Sequence, residues 1–231
     1  MKQMYRAIAL ILMVAMCSTF ATADGHMSKY DKKFVAAEEI LQDALSRSQN
    51  AIPLQVLKNS KAIVIFPGVM KVGFIFGARY GEGVVLAQDA DGNWSPPAYF
   101  TVTGGSAGLQ AGMESTDLIM CVMNTKGLDA ILKQRFTIGA DISIAAGPGS
   151  LGASGDKDIF WHADILSYTR SRGIFAGVSL NGARIGESRR SNRKIYGSNY
   201  LVDDIIIKRD HAVPSGATGL VNALNSATGS N

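Results

Sequence analysis

From Ser28 to Gln49, apolar positions return every third or fourth residue: Tyr30, Phe34, Ala37, Leu41, Ala44 and Leu45. That spacing fills one face of an α-helix. Ser28 is placed to cap its start, with Asp31 three residues on. Lys29 to Arg47 carries four positive and four negative charges. The outer face is therefore a solvated one, not the basic face of a membrane-surface helix. Pro53 opens a second short helix through Lys58.

The period then changes. Ala62-Ile63-Val64-Ile65-Phe66 reads as a short strand stopped by Pro67-Gly68. Further strand candidates are 72–80, 83–88, 98–103, 109–113, 118–123, 140–146, 158–167, 174–180 and 183–186, with one helix at 127–134. Glycines are dense among them, and a glycine inside a strand marks a bulge, a bend or a close backbone approach. The pattern predicts an α+β fold: N-terminal helices packed on a glycine-rich, strongly curled, mostly antiparallel sheet or small barrel. From Pro214 the chain turns to Ser, Gly, Ala, Thr and Asn, and only Leu220, Val221 and Leu224 break that pattern. This reads as a frayed helix or a disordered tail. The expected organisation is a leader over 1–23, a domain over 24–208 (helical at 28–58, β-rich at 61–208) and a tail over 209–231.

The leader is read from its own pattern. Lys2 and Arg6 precede the unbroken apolar run Ala7–Ala15, and Ala21-Thr22-Ala23 stands before Asp24. A short apolar run with small residues at the −3 and −1 positions is the pattern of a cleaved signal peptide. It is too short for a bilayer span, which needs about 20 residues. Val14-Ala15-Met16-Cys17 resembles a lipoprotein box, so acylation at Cys17 stands as the alternative to cleavage after Ala23. The expectation is an exported protein, periplasmic or secreted, or else an outer-membrane lipoprotein. After cleavage at Ala23 only Cys121 remains, within the apolar run Leu118–Met123, where a thiol behaves as a buried hydrophobe.

Charge sharpens the picture by its placement. The net charge is +4. Residues 24–165 hold 12 basic and 15 acidic side chains. Residues 166–200 hold Arg170, Arg172, Arg184, Arg189, Arg190, Arg193 and Lys194 against the single acid Glu187. Four of these cations fall within Arg189–Lys194. Arginine suits phosphate because its planar fork donates two hydrogen bonds at once, and anionic head groups attract such clusters. Export and sparse aromatic interleaving argue against nucleic acid.

Two glycine motifs imitate catalytic text. Gly104-Gly105-Ser106-Ala107-Gly108 has the Gly-x-Ser-x-Gly form of a hydrolase elbow, but Leu109–Glu114 alternates like another strand where the elbow needs a helix. Gly147-Pro148-Gly149-Ser150-Leu151-Gly152 has the Gly-x-Gly-x-x-Gly form, but Ala153–Asp158 reads as loop where a dinucleotide fold needs a helix. His26, His162 and His211 lie far apart with no cysteine pairs, so no metal cluster is legible. No cofactor is expected. A serine esterase using Ser106 and an envelope protein-binding or structural module remain the alternatives.

The order of many short motifs resembles the SYLF domain family of lipid-binding proteins. The matching text runs from Ala62–Pro67, Lys71–Phe74, Gly77, Gly81–Val85 and Trp94–Ala98 to Gly105–Gly112 and Gly139–Pro148. It closes with Tyr168, Ser171–Gly182, Asn192 and Tyr196-Gly197. The resemblance implies phospholipid binding through a basic surface, with no enzymatic activity, and actin binding in yeast relatives. The signal sequence argues against actin and phosphoinositides as ligands here. The expectation is a non-enzymatic envelope protein that binds phospholipid or an anionic membrane surface. Arg189, Arg190, Arg193 and Lys194 carry that binding, joined by Arg170, Arg172 and Arg184.

Overall fold

The computed structural model describes residues 28–46, 52–73, 76–107, 112–148, 162–171, 174–176, 180 and 182–229. The leader, Cys17 and Arg172 lie outside them. Helix α1 spans Lys29–Ser46 and α2 spans Leu54–Asn59. The Ser28 hydroxyl accepts from the Asp31 amide at 3.2 Å, and the Asp31 carboxylate accepts from the Ser28 amide at 3.3 Å. This reciprocal cap uses donors the helix leaves unpaired. Phe34, Ala37, Ile40, Leu41 and Ala44 form the buried face of α1.

Nine strands come next among the described residues: β1 Ala62–Gly73, β2 Phe76–Ala87, β3 Ala98–Ala107, β4 Gly112–Val122, β5 Arg135–Thr137, β6 Ile144–Ala146, β7 Ile165–Ser171, β8 Ile174–Ala176 and β9 Arg184–Glu187. Helix α3, Thr125–Leu132, stands between β4 and β5. One strongly curled sheet joins the strands in the order β5-β9-β3-β2-β1-β4-β7-β6, with β8 added on β7. Every pairing is antiparallel except β6 with β7. The α+β expectation and the curled, mostly antiparallel sheet hold.

The sheet is buried on both faces near the ends of β1–β4 that carry Ala62, Ala87, Ala98 and Val122. Ile63 and Ile65 of β1 join Val84, Leu86, Tyr99, Ile119 and Tyr168 beneath α1, α2 and a C-terminal helix. Ala62, Val64 and Phe66 face the other way, into a core with Val85, Phe100, Met120, Ile131, Phe136 and Ile205. Two-sided burial is why β1 begins as a continuous apolar run instead of an alternating one.

Several sequence breaks turn out to lie inside long strands. Pro67-Gly68 does not end β1. The register shifts there against both neighbours, and Gly68 takes φ +67°. This is a β-bulge, and Asp117 of β4 holds it by accepting from the Gly68 amide at 2.9 Å. The stretch 72–80, read as one strand, instead ends β1 at Gly73 and begins β2 at Phe76. Gly83 of β2 sits against the bulge. A Cβ there would overlap the Ile65 carbonyl oxygen and come within 2.7 Å of the Phe66 Cα.

The C-terminal tail is also corrected. Val202 and Ile205 are buried around a π-helical turn, Asp204–Lys208, and helix α5 spans Thr218–Thr228. Leu220, Val221 and Leu224 enter the α1 core. Asn225 accepts from the Trp94 amide at 3.0 Å, and Thr228 accepts from the Trp94 indole at 3.3 Å. Three apolar side chains at helical spacing suffice once α1 and Trp94 supply a surface for them.

Asp164 pins the far end of the sheet. Its carboxylate accepts from Asn124 Nδ2 at 2.9 Å, Lys126 Nζ at 2.9 Å, the Ser143 amide at 2.9 Å and the Ser143 hydroxyl at 2.8 Å. Burial alone would raise its pKa. The donors from Ser143, Lys126 and Asn124 outweigh burial and hold the carboxyl well below the usual range. A depressed carboxyl contributes stability above its unfolded pKa of about 3.9, and that contribution is lost as pH falls toward the folded value.

Two stability outcomes are expected. Gly83→Ala should lower stability by about 1–3 kcal/mol in urea unfolding, with an unchanged denaturant slope. Gly105→Ala should be near neutral, since a Cβ there meets nothing within 4 Å. Asp164→Asn should cost about 2 kcal/mol at pH 7 and flatten the loss of stability below pH about 4; an acid limb as steep as the wild type's would contradict the assignment.

Candidate functional site

The basic stretch is not a loop. After β9 the chain forms helix α4, Arg189–Tyr196, which ends at Gly197 with φ +85°. Local propensity alone would not build it. Arg189 and Arg193 are one like-charge pair at i,i+4, and Arg190 and Lys194 are a second. Each pair costs about 0.2–0.5 kcal/mol in an isolated helix. Arg189 and Arg190 also sit in the first turn, where the helix dipole disfavours cations.

Tertiary bonds hold the helix instead. Asn192 is fully buried at the point where β9 ends and the edge of β3 would lie bare. Its Oδ1 accepts from the Tyr99 amide at 2.6 Å, and its Nδ2 donates to the Tyr99 carbonyl at 3.1 Å. The side chain thus stands in for the next strand. The Ser188 amide donates to the same carbonyl at 2.8 Å. Glu82 of β2 accepts from the Ser188 hydroxyl at 2.7 Å and the Ser191 hydroxyl at 2.5 Å. Tyr196 donates to the Pro97 carbonyl at 2.7 Å, and Tyr200 donates to Glu187 at 2.5 Å. Burial, then the hydrogen bond to Glu187, pushes the Tyr200 hydroxyl above its ordinary pKa, so it stays a donor.

These contacts fix which way α4 faces. Ser191, Asn192 and Ile195 point inward, and Arg189, Arg190, Arg193 and Lys194 are exposed on the opposite side. At 3.6 residues per turn the four cations share one face. Glu187 pairs with Arg189 at 3.5 Å. Among the described residues, Arg190, Arg193 and Lys194 have no ion-pair partner.

The other predicted cations divide. Arg184 is exposed on β9, in register with Thr103 of β3. Arg170 is committed elsewhere. Its guanidinium donates to Asp117 at 2.9 and 2.5 Å and to Asp43 of α1 at 2.8 Å. It clamps α1 to the bulge-holding Asp117, and two carboxylates offset its charge, so it does not belong to the open cation face. Arg172 lies outside the described residues.

Among the described residues, neither histidine lies near Ser106. Ser106 lies in β3, in register with Gly77, with no strand-to-helix elbow at that point. His211 meets Tyr196 edge-on, with ring centroids 5.1 Å apart, at the Pro97 end of the same strand. Nine residues of strand separate that end from Ser106, about 30 Å. His162 sits beside Asp164, whose carbonyl accepts from Met123 just past the far end of β4. Gly147 packs on the ring of Tyr168 so closely that a Cβ would overlap it, which accounts for that glycine without a cofactor. The rest of that motif, Gly149–Gly152, lies outside the described residues. Burial pushes the Cys121 thiol up to about 12, in keeping with its reading as an inert buried group. Among the described residues no group of three His, Cys, Asp or Glu side chains is placed to hold a metal. No helix among them is long and apolar enough to cross a membrane.

Asn192 and Tyr196-Gly197 were visible in the sequence only as family text. Their task is to dock the helix that carries the charge. Glu82 and Tyr99 carried no sequence signal for this role, because their partners lie roughly a hundred residues away in the chain.

The class this defines is an α+β domain: a curled sheet between two apolar cores, with a basic helix hydrogen-bonded to its edge. Residues 103–227 match the Ysc84 family, described as "Las17-binding protein actin regulator". The chain belongs to this SYLF family. It is 34% identical over 178 residues to rat "SH3 domain-containing YSC84-like protein 1", covering 77% of this chain and 52% of that one. It is 34% identical to "Protein YSC84" of Saccharomyces cerevisiae, covering 78% and 38%, and 37% identical to a Schizosaccharomyces pombe SH3 domain-containing protein, covering 78% and 42%. The chain thus spans about half or less of the length of these relatives.

If Asn192 docks the helix, Asn192→Ala should cost about 2–4 kcal/mol, the sum of its buried hydrogen bonds. Amide exchange should rise first within Arg189–Tyr196. A uniform rise across the sheet, with no preference for α4, would show that the side chain serves general packing instead.

Proposed function

We propose that this protein binds lipid in the bacterial envelope, and that the outer face of α4 captures anionic phospholipid head groups. The observation that carries this reading is the helix itself. Two like-charge pairs are held on one exposed face by hydrogen bonds on the other. Phosphate oxygens arriving at that face relieve repulsion that folding left in place. The helix is fixed before the ligand comes, so less backbone freedom is lost on binding. The leader at 1–23 supports placement outside the cytoplasm, with Cys17 acylation as the alternative to release. The relatives named above are not described as enzymes, and the strand geometry around Ser106 gives an esterase no support.

The family description favours one other reading. A regulator of actin works through protein contacts, and an acidic protein surface would also suit α4. The leader argues for lipid over actin, and one experiment separates them. The mature protein from Asp24 is pelleted with phosphatidylglycerol-containing vesicles, with neutral phosphatidylcholine vesicles, and with actin filaments.

Binding to the anionic vesicles alone, weakened by salt, is the expected result. Glu in place of Arg189, Arg190, Arg193 and Lys194 should lower it by about a hundredfold or more, at about 1 kcal/mol per cation. Unchanged vesicle binding by that variant overturns the lipid reading. Pelleting with filaments but not vesicles establishes the second.

A further inference from the structure

Beyond α4, the sheet has a surface that no part of the described fold covers. Helix α1 crosses the sheet from Tyr99, where the Tyr99 hydroxyl donates to the Tyr30 carbonyl at 2.9 Å, to the Asp43–Arg170 pair on β7. Lys33 reaches the Pro67 carbonyl at 3.4 Å on the way. The strands continue past this line, and their α1-side face is left open. Cross-strand partners share a face. Val72 stands opposite Ala78 on β2 and Met113 on β4, and Met70 stands opposite Tyr80 and Ser115 in the next row. Val72 is 48% exposed, Tyr80 57% and Met113 71%.

This apolar face adjoins the basic helix. Glu82 is two residues from Tyr80 on the same strand and therefore on the same side, and its carboxylate is the group that Ser188 and Ser191 hold. In the Tyr80 row, Thr103 comes next on β3 and Arg184 on β9. One continuous surface thus runs from the α4 cations past Arg184 to Tyr80, Val72 and Met113. On the opposite side of the same strands the charged residues Lys71, Arg79 and Glu114 occupy one row.

We propose that Tyr80, Val72 and Met113 insert into the apolar layer of the bilayer whose head groups α4 captures. The inference rests on the lipid reading above. Charge complementarity selects the occupant, because the apolar residues lie beside an anion-attracting helix and Arg184. Size supports it. Three side chains expose at most a few hundred Å2, short of the roughly 800 Å2 per partner that a stable dimer buries. Inserting side chains need no such minimum. Tyrosine suits the depth, since its ring enters the acyl region while its hydroxyl stays with water and head groups.

The test uses the protein from Asp24, with Met113→Cys carrying an environment-sensitive nitrobenzoxadiazole label; the native Cys121 is buried. Asp91→Cys, in the exposed turn at the far end of the sheet, and Lys71→Cys, on the charged face, carry the same label as controls. With phosphatidylglycerol vesicles, emission at position 113 should rise and shift to the blue. Nitroxide on the acyl chains should quench it and aqueous iodide should not, while both controls stay water-like. Unlabelled Met113→Asp with Tyr80→Asp should keep the salt-sensitive binding but lose about tenfold or more at high salt, where apolar burial is what remains.

A water-like label at 113 on protein that still pellets with vesicles overturns insertion and leaves the lipid reading standing. No pelleting at all overturns both. A blue shift without vesicles that grows with protein concentration assigns the face to a second copy, and insertion falls.

Discussion

Burial of the sheet on both faces is the constraint on which the rest of the structure depends. β1 lies at the centre, between β2 and β4, and each successive residue from Ala62 to Phe66 must suit a different core. A polar residue at any of these positions would be buried on one side or the other. Helices must therefore be supplied to both faces. The N-terminal helices and α5 cover one, while α3 and the segment around Ile205 cover the other. The C-terminal residues are needed for this reason: without Leu220, Val221 and Leu224 the α1 layer would be open to water at Trp94.

The same constraint makes the partial coverage meaningful. Where both faces are covered, strand positions are fully buried. Past the Pro67-Gly68 bulge, Val69 is the last β1 side chain in a core, and from Met70 the side chains alternate between an apolar and a charged face. Asp117 marks the boundary. One oxygen holds the bulge through the Gly68 amide, and the other takes Arg170, which reaches back to α1. Arg170, read from the sequence as a ligand for lipid, clamps α1 where the covered half of the sheet gives way to the open half. Its charge is partly shielded and partly offset by Asp43 and Asp117, which separates it from the α4 cations only about twenty residues later in the chain.

How much of this was legible depended on the distance between partners. Helix α1 could be read from spacing, and so could its cap, because Ser28 and Asp31 are three residues apart. The α+β class and curled sheet came from period and glycine density. The long central strands were not legible, because Pro67, Gly68 and Gly83 signal breaks locally and their reason lies across the sheet. Gly83 is small because Ile65 and Phe66 press on it at the bulge. The four cations of α4 were found as a run, but their shared face was not, since Asn192 pairs with Tyr99, 93 residues away. A helix made of like charges has no local signature of stability. The tail looked frayed because its three apolar residues mean little without α1 to receive them.

Tyr99 draws these threads to one corner. Its backbone amide and carbonyl hold Asn192, while its hydroxyl holds the Tyr30 carbonyl in the first turn of α1. Its ring packs on Tyr30 and Phe34, with centroids 5.9 and 5.1 Å away. The point where the chain enters the fold and the helix that carries its cations are thus bonded to the same residue. Under the export proposal this has a consequence for the choice between Ala23 and Cys17. A chain released at Ala23 brings only a few residues to that corner, and the α4 cations must find the membrane by their own attraction. A chain acylated at Cys17 would be anchored through the start of α1, and the cation face would meet the head groups at close range. In the acylated form the tether would join α1 at the end that lies beside the charge, so acyl anchoring and charge capture would act together instead of pulling the domain into competing orientations.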